Sequence, residues 1–473
     1  MPSAAEGSPA AGGGPAPSDP STLEAFARRA AAEPFRALAD RPPTAAAIQR
    51  MWWGWVHGHP VQLPHERLYL FVRFEDVDPL AAEAAVRATI ARHDTLRSRF
   101  AEQDGGLQAW VNPAEDFRVD LVRLDVTEDL DAAIEAERVR FTVPELRIDG
   151  DWLARARVVA GGSSLLVCLV FHHMVFDARS RLLLEQELLL RLAPGTDPAR
   201  DLGRPAQYLD YAAWERDWLE REGAALCAYW RAWLASVPPL RNPRGGVLAW
   251  RPGHKAYYDV EISGPPVERL RALAGEATPF RLLLVALALA VSRWTGQARF
   301  ALRVVGDLRT TRPMPDMVGN LVCTDLVAMD VPPQPDIRAL LDQAGAANRT
   351  ATQLRCPNLL GLPDSERFPD VSDLGIGTRA AVTLNYMPLY KLRGDEAPTP
   401  AAPGAYAPPV ATRSAQTEYW PTPVCPVNLR IWDWGNRLVC RMEFDDDAIT
   451  EADQHRLIDL FAQAVGDLPA DPA

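Results

Sequence analysis

The chain has 473 residues, 48% of them hydrophobic and 24% charged, with 62 acidic against 50 basic side chains and a formal net charge of −12. That length exceeds what one hydrophobic core ordinarily holds, so two domains are expected. The acidic balance excludes a general nucleic-acid binder, which needs cations to displace counterions from phosphate, and it disfavours an anionic lipid surface.

Residues 1–20, rich in Ala, Gly, Pro and Ser, lack a basic start followed by an apolar core. They read as a disordered tail and not as a signal peptide. Residues 21–39 predict a short helix, and the tryptophans of Arg50-Met51-Trp52-Trp53-Gly54-Trp55 a core or groove wall. A strand over 67–74 leads to Asp78-Pro79, which caps a helix over 80–92. The stretch 92–100 turns that helix into the next strand. Further strands are predicted at 108–111, 117–122 and 152–159, with a helix over 130–139.

The run Leu165-Leu166-Val167-Cys168-Leu169-Val170-Phe171 follows Gly161-Gly162-Ser163-Ser164 and reads as a strand buried on both faces. His172, His173 and Asp177 arrive where it ends. Polar groups at the mouth of a dry strand cost free energy unless each finds a partner. Neighbouring residues on extended chain point to opposite faces, so His172 and His173 are poor joint ligands, and no metal site is expected. One ring can face a cleft while the other faces the interior. A buried carboxylate at Asp177 needs a cation or several donors. The residues alone leave two readings open: one histidine as general base or positioning group, or both as satisfied core histidines.

A helix over 180–192 should pack back on the sheet, and the Pro-, Gly- and Asp-rich stretch 193–205 is the linker candidate. A long helix over 208–234 carries an aromatic stripe (Tyr208, Tyr211, Trp214, Trp218, Tyr229, Trp230, Trp233) read as core. The second half alternates again. Strands are predicted at 255–262, 299–305, 320–329, 381–386, 424–432 and 437–444, and helices at 267–274, 280–294 and 337–354. A last helix is capped by Thr450 with Asp453. Residues 355–378 and 390–423 read as loops, and the acidic run Glu443, Asp445, Asp446, Asp447 as a solvated turn. The ten-residue apolar run 282–291 is too short to cross a bilayer. Six scattered cysteines (168, 227, 323, 356, 425, 440) fit a reduced, cytoplasmic protein. There is no nucleophile elbow, P-loop or GxGxxG. The expected class is α/β, with mixed sheets flanked by helices in each half.

His172-His173-Met174-Val175-Phe176-Asp177 resembles the HHxxxDG signature of condensation domains of nonribosomal peptide synthetases, which share a superfamily with chloramphenicol acetyltransferase. Arg92-His93-Asp94-Thr95-Leu96-Arg97-Ser98-Arg99-Phe100 is similar to the family's RHExLRTxF, and Arg50-Met51-Trp52 to the end of its first motif. Tyr208-Leu209-Asp210-Tyr211-Ala212-Ala213-Trp214, Tyr229-Trp230 and Val318-Gly319-Asn320 fall in the family's order.

The resemblance implies two chloramphenicol acetyltransferase-like lobes in a V-shaped pseudo-dimer, here 21–195 and 205–473. Donor and acceptor enter a tunnel between them from opposite ends. It makes His173 the catalytic histidine, with His172 beside it. Asp177 becomes structural, paired to an arginine for which Arg309 is the candidate and Arg312 the fallback. The expected function is condensation of a carrier-tethered acyl or aminoacyl thioester with an amine or hydroxyl. The chain needs no cofactor of its own, only the phosphopantetheine arm of a peptidyl or acyl carrier protein acting in trans on a free-standing enzyme. The acceptor is a small molecule or carrier-bound. Basic patches at Arg28, Arg29 and Arg36, or at Arg309 and Arg312, are candidates for docking an acidic carrier. Alternatives are an epimerase of carrier-bound aminoacyl groups and a non-catalytic recruitment domain. The sequence departs from the pattern at Ala178, the motif glycine, where a positive φ would cost alanine roughly 1 kcal/mol. It departs also at Ala45, Ile48 and Cys323, and lacks an HQD-like motif near Gln353.

Overall fold

The structure is a computed structural model. It describes residues 43–58, 67–103, 105–125, 129–249, 253–273, 278–310, 314, 316–355, 379–389, 411–413, 418–420 and 425–468, with isolated positions 24, 25, 28 and 35.

In the first half, α1 (Ala47–Gly58) precedes β1 (Arg67–Glu75), α2 (Pro79–Arg92), β2 (Ser98–Gln103), β3 (Gly106–Val111), β4 (Val119–Arg123), α3 (Leu130–Thr142), β5 (Ala154–Gly161), β6 (Ser164–His172) and α4 (Ala178–Leu192). β1, β6, β5 and β4 form one sheet in that order, antiparallel except for the β4–β5 pair, while β2 and β3 form a separate hairpin. Every residue of β6 is buried. Its alternate side chains enter two cores: Leu165, Val167, Leu169 and Phe171 join the large one, and Leu166, Cys168 and Val170 pack with Ile134 and Phe141 of α3. The Asp78 carboxylate accepts from Leu80 N and Ala81 N to start α2, as its sequence predicts.

The stretch 193–205 contains one short helix, α5 (Pro198–Asp201). α6 (Tyr208–Ala235) follows, then β7 (Gly253–Ser263), α7 (Pro265–Ala272), α8 (Pro279–Thr295), β8 (Arg299–Asp307), β9 (Val322–Asp330), α9 (Ile337–Gln353), β10 (Val382–Pro388), β11 (Thr412–Arg413), β12 (Glu418–Trp420), β13 (Val427–Asp433), β14 (Arg437–Asp445) and α10 (Glu451–Gly466). The second sheet runs β11-β7-β14-β13-β10-β8-β9, with β12 also on β7. The two short strands correct the reading of 390–423 as loop: main-chain pairing with β7 gives them strand geometry that no side-chain pattern announces. Residues 356–378 and 390–410 lie outside the described residues. α8 is capped by Thr278 and ends at Gly296, whose φ of 67° favours glycine. Apolar on all sides from Leu282 to Val291, α8 is enclosed there by the second core together with one face of the sheet.

The chain is thus α/β, with two mixed sheets flanked by helices in the manner of two chloramphenicol acetyltransferase-like lobes. The first core also takes in Leu308, Met317, Leu321, Cys323 and Leu326 from the β8–β9 connection and β9. That contact brings the second sheet to the end of β6.

Candidate active site at the end of the central strand

β6 stops at His172 because the chain folds back: Val175 N donates to His172 O at 3.1 Å, and Met174 N to His172 Nδ1 at 3.0 Å. Since Nδ1 accepts, the ring proton belongs on Nε2, which has no partner among the described residues. The His172 ring is fully buried, edge-on to Trp52, and burial with the neighbouring His173 pushes it down to about 3. It is neutral at physiological pH.

His173 differs. Its ring is only half-buried and lies against Trp52, with centroids 5.1 Å apart. Its Nδ1 is 2.8 Å from Phe176 O, a carbonyl that can only accept, so Nδ1 carries the proton. The Asn320 amide, 3.3 Å from the same nitrogen, donates instead to His173 O at 2.7 Å. This tautomer leaves a lone pair on Nε2, which has no hydrogen-bond partner among the described residues. Burial lowers the ring below its ordinary value, against the pull of Phe176 O and Asp177, and Arg430 adds to the lowering.

Asp177 caps α4 through Ser180 N at 2.7 Å and accepts Leu321 N at 2.9 Å. Arg309 meets it with two nitrogens, at 2.8 and 3.2 Å. Arg309 also donates to Met317 O, Gly319 O, Ser180 Oγ and Asp307. Burial works to raise the Asp177 carboxyl, but Arg309 and the two main-chain donors outweigh it and hold it below its ordinary value. Ala178 is the exposed first residue of α4 and is not among the described non-glycine residues with positive φ. The motif position therefore carries no backbone strain here. Arg312 lies outside the described residues.

Four further residues, Asn320, Gly319, Asp94 and Arg355, make contacts to which the sequence reading assigned no role. Asn320 holds the His173 main chain, and its own carbonyl accepts the Tyr208 hydroxyl at 2.7 Å. Gly319, at φ 154°, lets Tyr208 approach: a Cβ there would lie 2.0 Å from the Tyr208 ring. Asp94 caps α6 by accepting Tyr208 N and Leu209 N. Arg355 forms a buried pair with Asp325 and donates to Asp307 O, extending the Arg309 network. Asp94, Gly319 and Asn320 fall in stretches that carry the family resemblance, but neither stretch assigned them a role, and Arg355 stood at the edge of a segment read as loop.

Of the aromatic stripe, Tyr208, Tyr211, Trp214, Trp218, Tyr229 and Trp230 are buried as core. Tyr229, Trp230 and Trp233 also wall a cavity of about 140 Å³ with Leu326, Ala328 and Thr350. Of the acidic run, Glu443 and Asp445 are buried on β14 and correct the reading of a solvated turn, whereas Asp446 and Asp447 do form the turn that follows, half-buried and exposed. Arg309 is buried and cannot dock a carrier, Arg28 pairs with Glu24, and Arg29 and Arg36 lie outside the described residues. Among the described residues no group of three or more His, Cys, Asp or Glu could hold a metal ion, and no helix is long and apolar enough to cross a membrane.

With this geometry in place, comparison with known proteins decides the family. The sequence profile described as "Condensation domain" matches residues 67–357. The chain belongs to the condensation-domain family. Condensation domains are in general acyltransferases that join carrier-bound acyl groups by amide or ester bonds in natural-product biosynthesis. This condensation domain is 27% identical over 295 residues, 59% of its length, to a linear gramicidin synthase polypeptide of Brevibacillus parabrevis, and 26% identical over 284 residues to phosphinothricin tripeptide synthetase PhsC of Streptomyces viridochromogenes. It spans only 4% of the first relative and 26% of the second. Among solved structures, the one described for condensation domain-mediated chain release from the enacyloxin polyketide synthase is 34% identical, with a TM-score of 0.82 over 95% of this chain and 88% of that one. The X-domain from teicoplanin biosynthesis shares the fold, with a TM-score of 0.64 at 18% identity over 91% of this chain and 96% of its own.

Proposed function

We propose that this condensation domain is an active acyltransferase: it moves an acyl or aminoacyl group from the phosphopantetheine thioester of a carrier protein to an amine or hydroxyl. The observation that supports it is the His173 ring, neutral, proton on Nδ1, Nε2 free and the ring partly exposed. An incoming N–H or O–H gives its proton to Nε2 as its nitrogen or oxygen bonds to the thioester carbon. The Phe176 carbonyl and Asp177 steady the cation that forms. When the carbon–sulfur bond breaks, the proton passes to the departing sulfur. Proton transfer of this kind contributes typically 10²- to 10⁴-fold. In this reading His172 fixes the turn that presents His173, and Asp177 with Arg309 locks the second sheet onto the strand end.

The test is incubation with acyl-loaded carrier protein and a panel of amines and alcohols, followed by mass spectrometry. Transfer product is expected from the parent and not from His173→Ala. An epimerised donor would favour the epimerase alternative. Undiminished activity in His173→Ala would leave a recruitment role as the better account.

A further inference from the structure

Phe176 O and the Asn320 amide meet the His173 ring at its Nδ1 edge. A bond at one nitrogen leaves a ring able to swing about that bond. Trp52 of α1 lies against the face. The two ring centroids are 5.1 Å apart with planes tilted by 30°, and the same indole stands at 84° to the His172 ring, 6.0 Å away. One side chain therefore touches both histidines. It is itself held fast. Trp52 is 7% exposed within the first core. Its helix is tied to two other elements: Ala47 N donates to Glu215 of α6, and Trp53 Nε1 donates to Glu102 of β2 at 2.9 Å. A core position asks only for apolar volume of the right shape. An indole beside an imidazole offers more, a negative ring face, the best of the aromatic side chains for a cation within about 6 Å.

We propose that Trp52 is a positioning residue for acyl transfer: its indole holds the plane of the His173 ring and stabilises the imidazolium that forms there. The inference rests on the acyl-transfer reading. Trp52 acts through His173 and needs no contact with substrate. In the step, the acceptor's proton moves to His173 Nε2 as its nitrogen or oxygen bonds to the thioester carbon. The carbon–sulfur bond then breaks and the proton passes on to sulfur, releasing a thiol. Between the two transfers the ring carries a full charge. Burial disfavours that charge, and the charged groups acting on the ring divide. Asp177 favours the cation, but both of its oxygens are engaged by Arg309, while Arg430 of β13 opposes it. His172 stays neutral, and Asn320 is uncharged. The indole face is a support for the cation that no neighbouring arginine shares.

The full chain, isotope-labelled at histidine, is titrated by NMR, with the His173 signal assigned by its loss in His173→Gln. Acyl transfer from loaded carrier protein is followed in parallel across pH. Trp52→Leu and Trp52→Phe remove similar volume, but only leucine removes the ring face. Tetrafluorotryptophan installed at position 52 keeps the shape and strips the face of its negative charge. A contact that favours the protonated ring raises its pKa, so losing it lowers the pKa. The proton affinity of His173 should fall roughly 2- to 30-fold with leucine or the fluorinated indole and stay near the parent's with phenylalanine. The kinetic midpoint should shift to more acid pH with it, and kcat should fall while KM for the acceptor holds. Equal proton affinity in the parent and fluorinated chains overturns the proposal, as does a rise in Trp52→Leu from admitted water. A change confined to KM overturns it too, by placing the indole in the binding surface. Should Trp52→Leu fail to fold, the fluorinated chain decides alone. If the parent transfers no acyl group, the acyl-transfer reading falls, and the NMR titration still shows whether the indole holds the His173 cation.

Discussion

Asp177–Arg309 and Glu443–Arg430 are both carboxylate–guanidinium pairs in the interior of one molecule, and they are built to opposite standards. Around Asp177 the chain supplies two main-chain N–H donors, a serine hydroxyl and three carbonyl or carboxylate oxygens, so the pair is saturated. Around Glu443 the pair keeps an unaligned contact, and its neighbours Thr383 and Asn428 keep unmatched oxygens. A saturated buried pair has nothing left to offer a ligand and serves to register two parts of a fold. An unsaturated one leaves part of its desolvation cost without an offsetting hydrogen bond. The distinction separates a pair that holds His173 in place from one that leaves a polar row of the second sheet partly unmatched.

The sharpest way to break this comparison is to remove Asp177. Asp177→Ala leaves Arg309 buried without its counter-charge, and about 3–5 kcal/mol of stability should be lost, read by urea unfolding or as insoluble expression. Acid has the same target. The folded-state pKa of Asp177 lies below its ordinary 3.8, so its contribution is present above that pH and lost as pH falls through the lower folded value. An Asp177→Ala protein as stable as the parent would contradict the structural role. Next comes His173→Ala, for which about 10²- to 10⁴-fold lower turnover is expected at an unchanged Tm, since the half-buried ring holds up no core. Smaller again, Asn320→Ala should lower kcat about tenfold with little change in KM, because the residue steadies the His173 main chain and touches no substrate. A change confined to KM would instead place Asn320 in the binding surface.

How much of this could be read from the chain follows the same division. Local chemistry was legible. The apolar run 165–171 made a strand buried on both faces, Asp78, Thr278 and Thr450 capped helices, and a carboxylate at 177 needed a cation. What depends on strands meeting from far apart in sequence was not. Thr383, Asn428 and Glu443 form a row only once β10, β13 and β14 are in register, and each alone is an ordinary polar residue. Glu443 and Asp445 were misread as solvent-facing because an acidic run usually is; here alternation along β14 turns them inward. β11 and β12 are held by β7's main chain, which side-chain pattern does not encode. Ala178 looked costly against a glycine motif, yet the position is simply the first turn of a helix, where alanine is at ease.

The smallest expected effect probes whether the two pairs speak to each other through His173. Burial and Arg430 both lower the His173 pKa from 6.5, and a general base must be unprotonated to act, so kcat/KM should climb with pH and level off with a midpoint below 6.5. Arg430→Met removes a cation that disfavours the imidazolium. The midpoint should therefore move up toward 6.5 without reaching it, since burial is the larger cause. Arg430→Lys keeps the charge and should keep the parent midpoint. A midpoint that ignores the charge at 430 would show that Arg430 does not act on the reacting histidine.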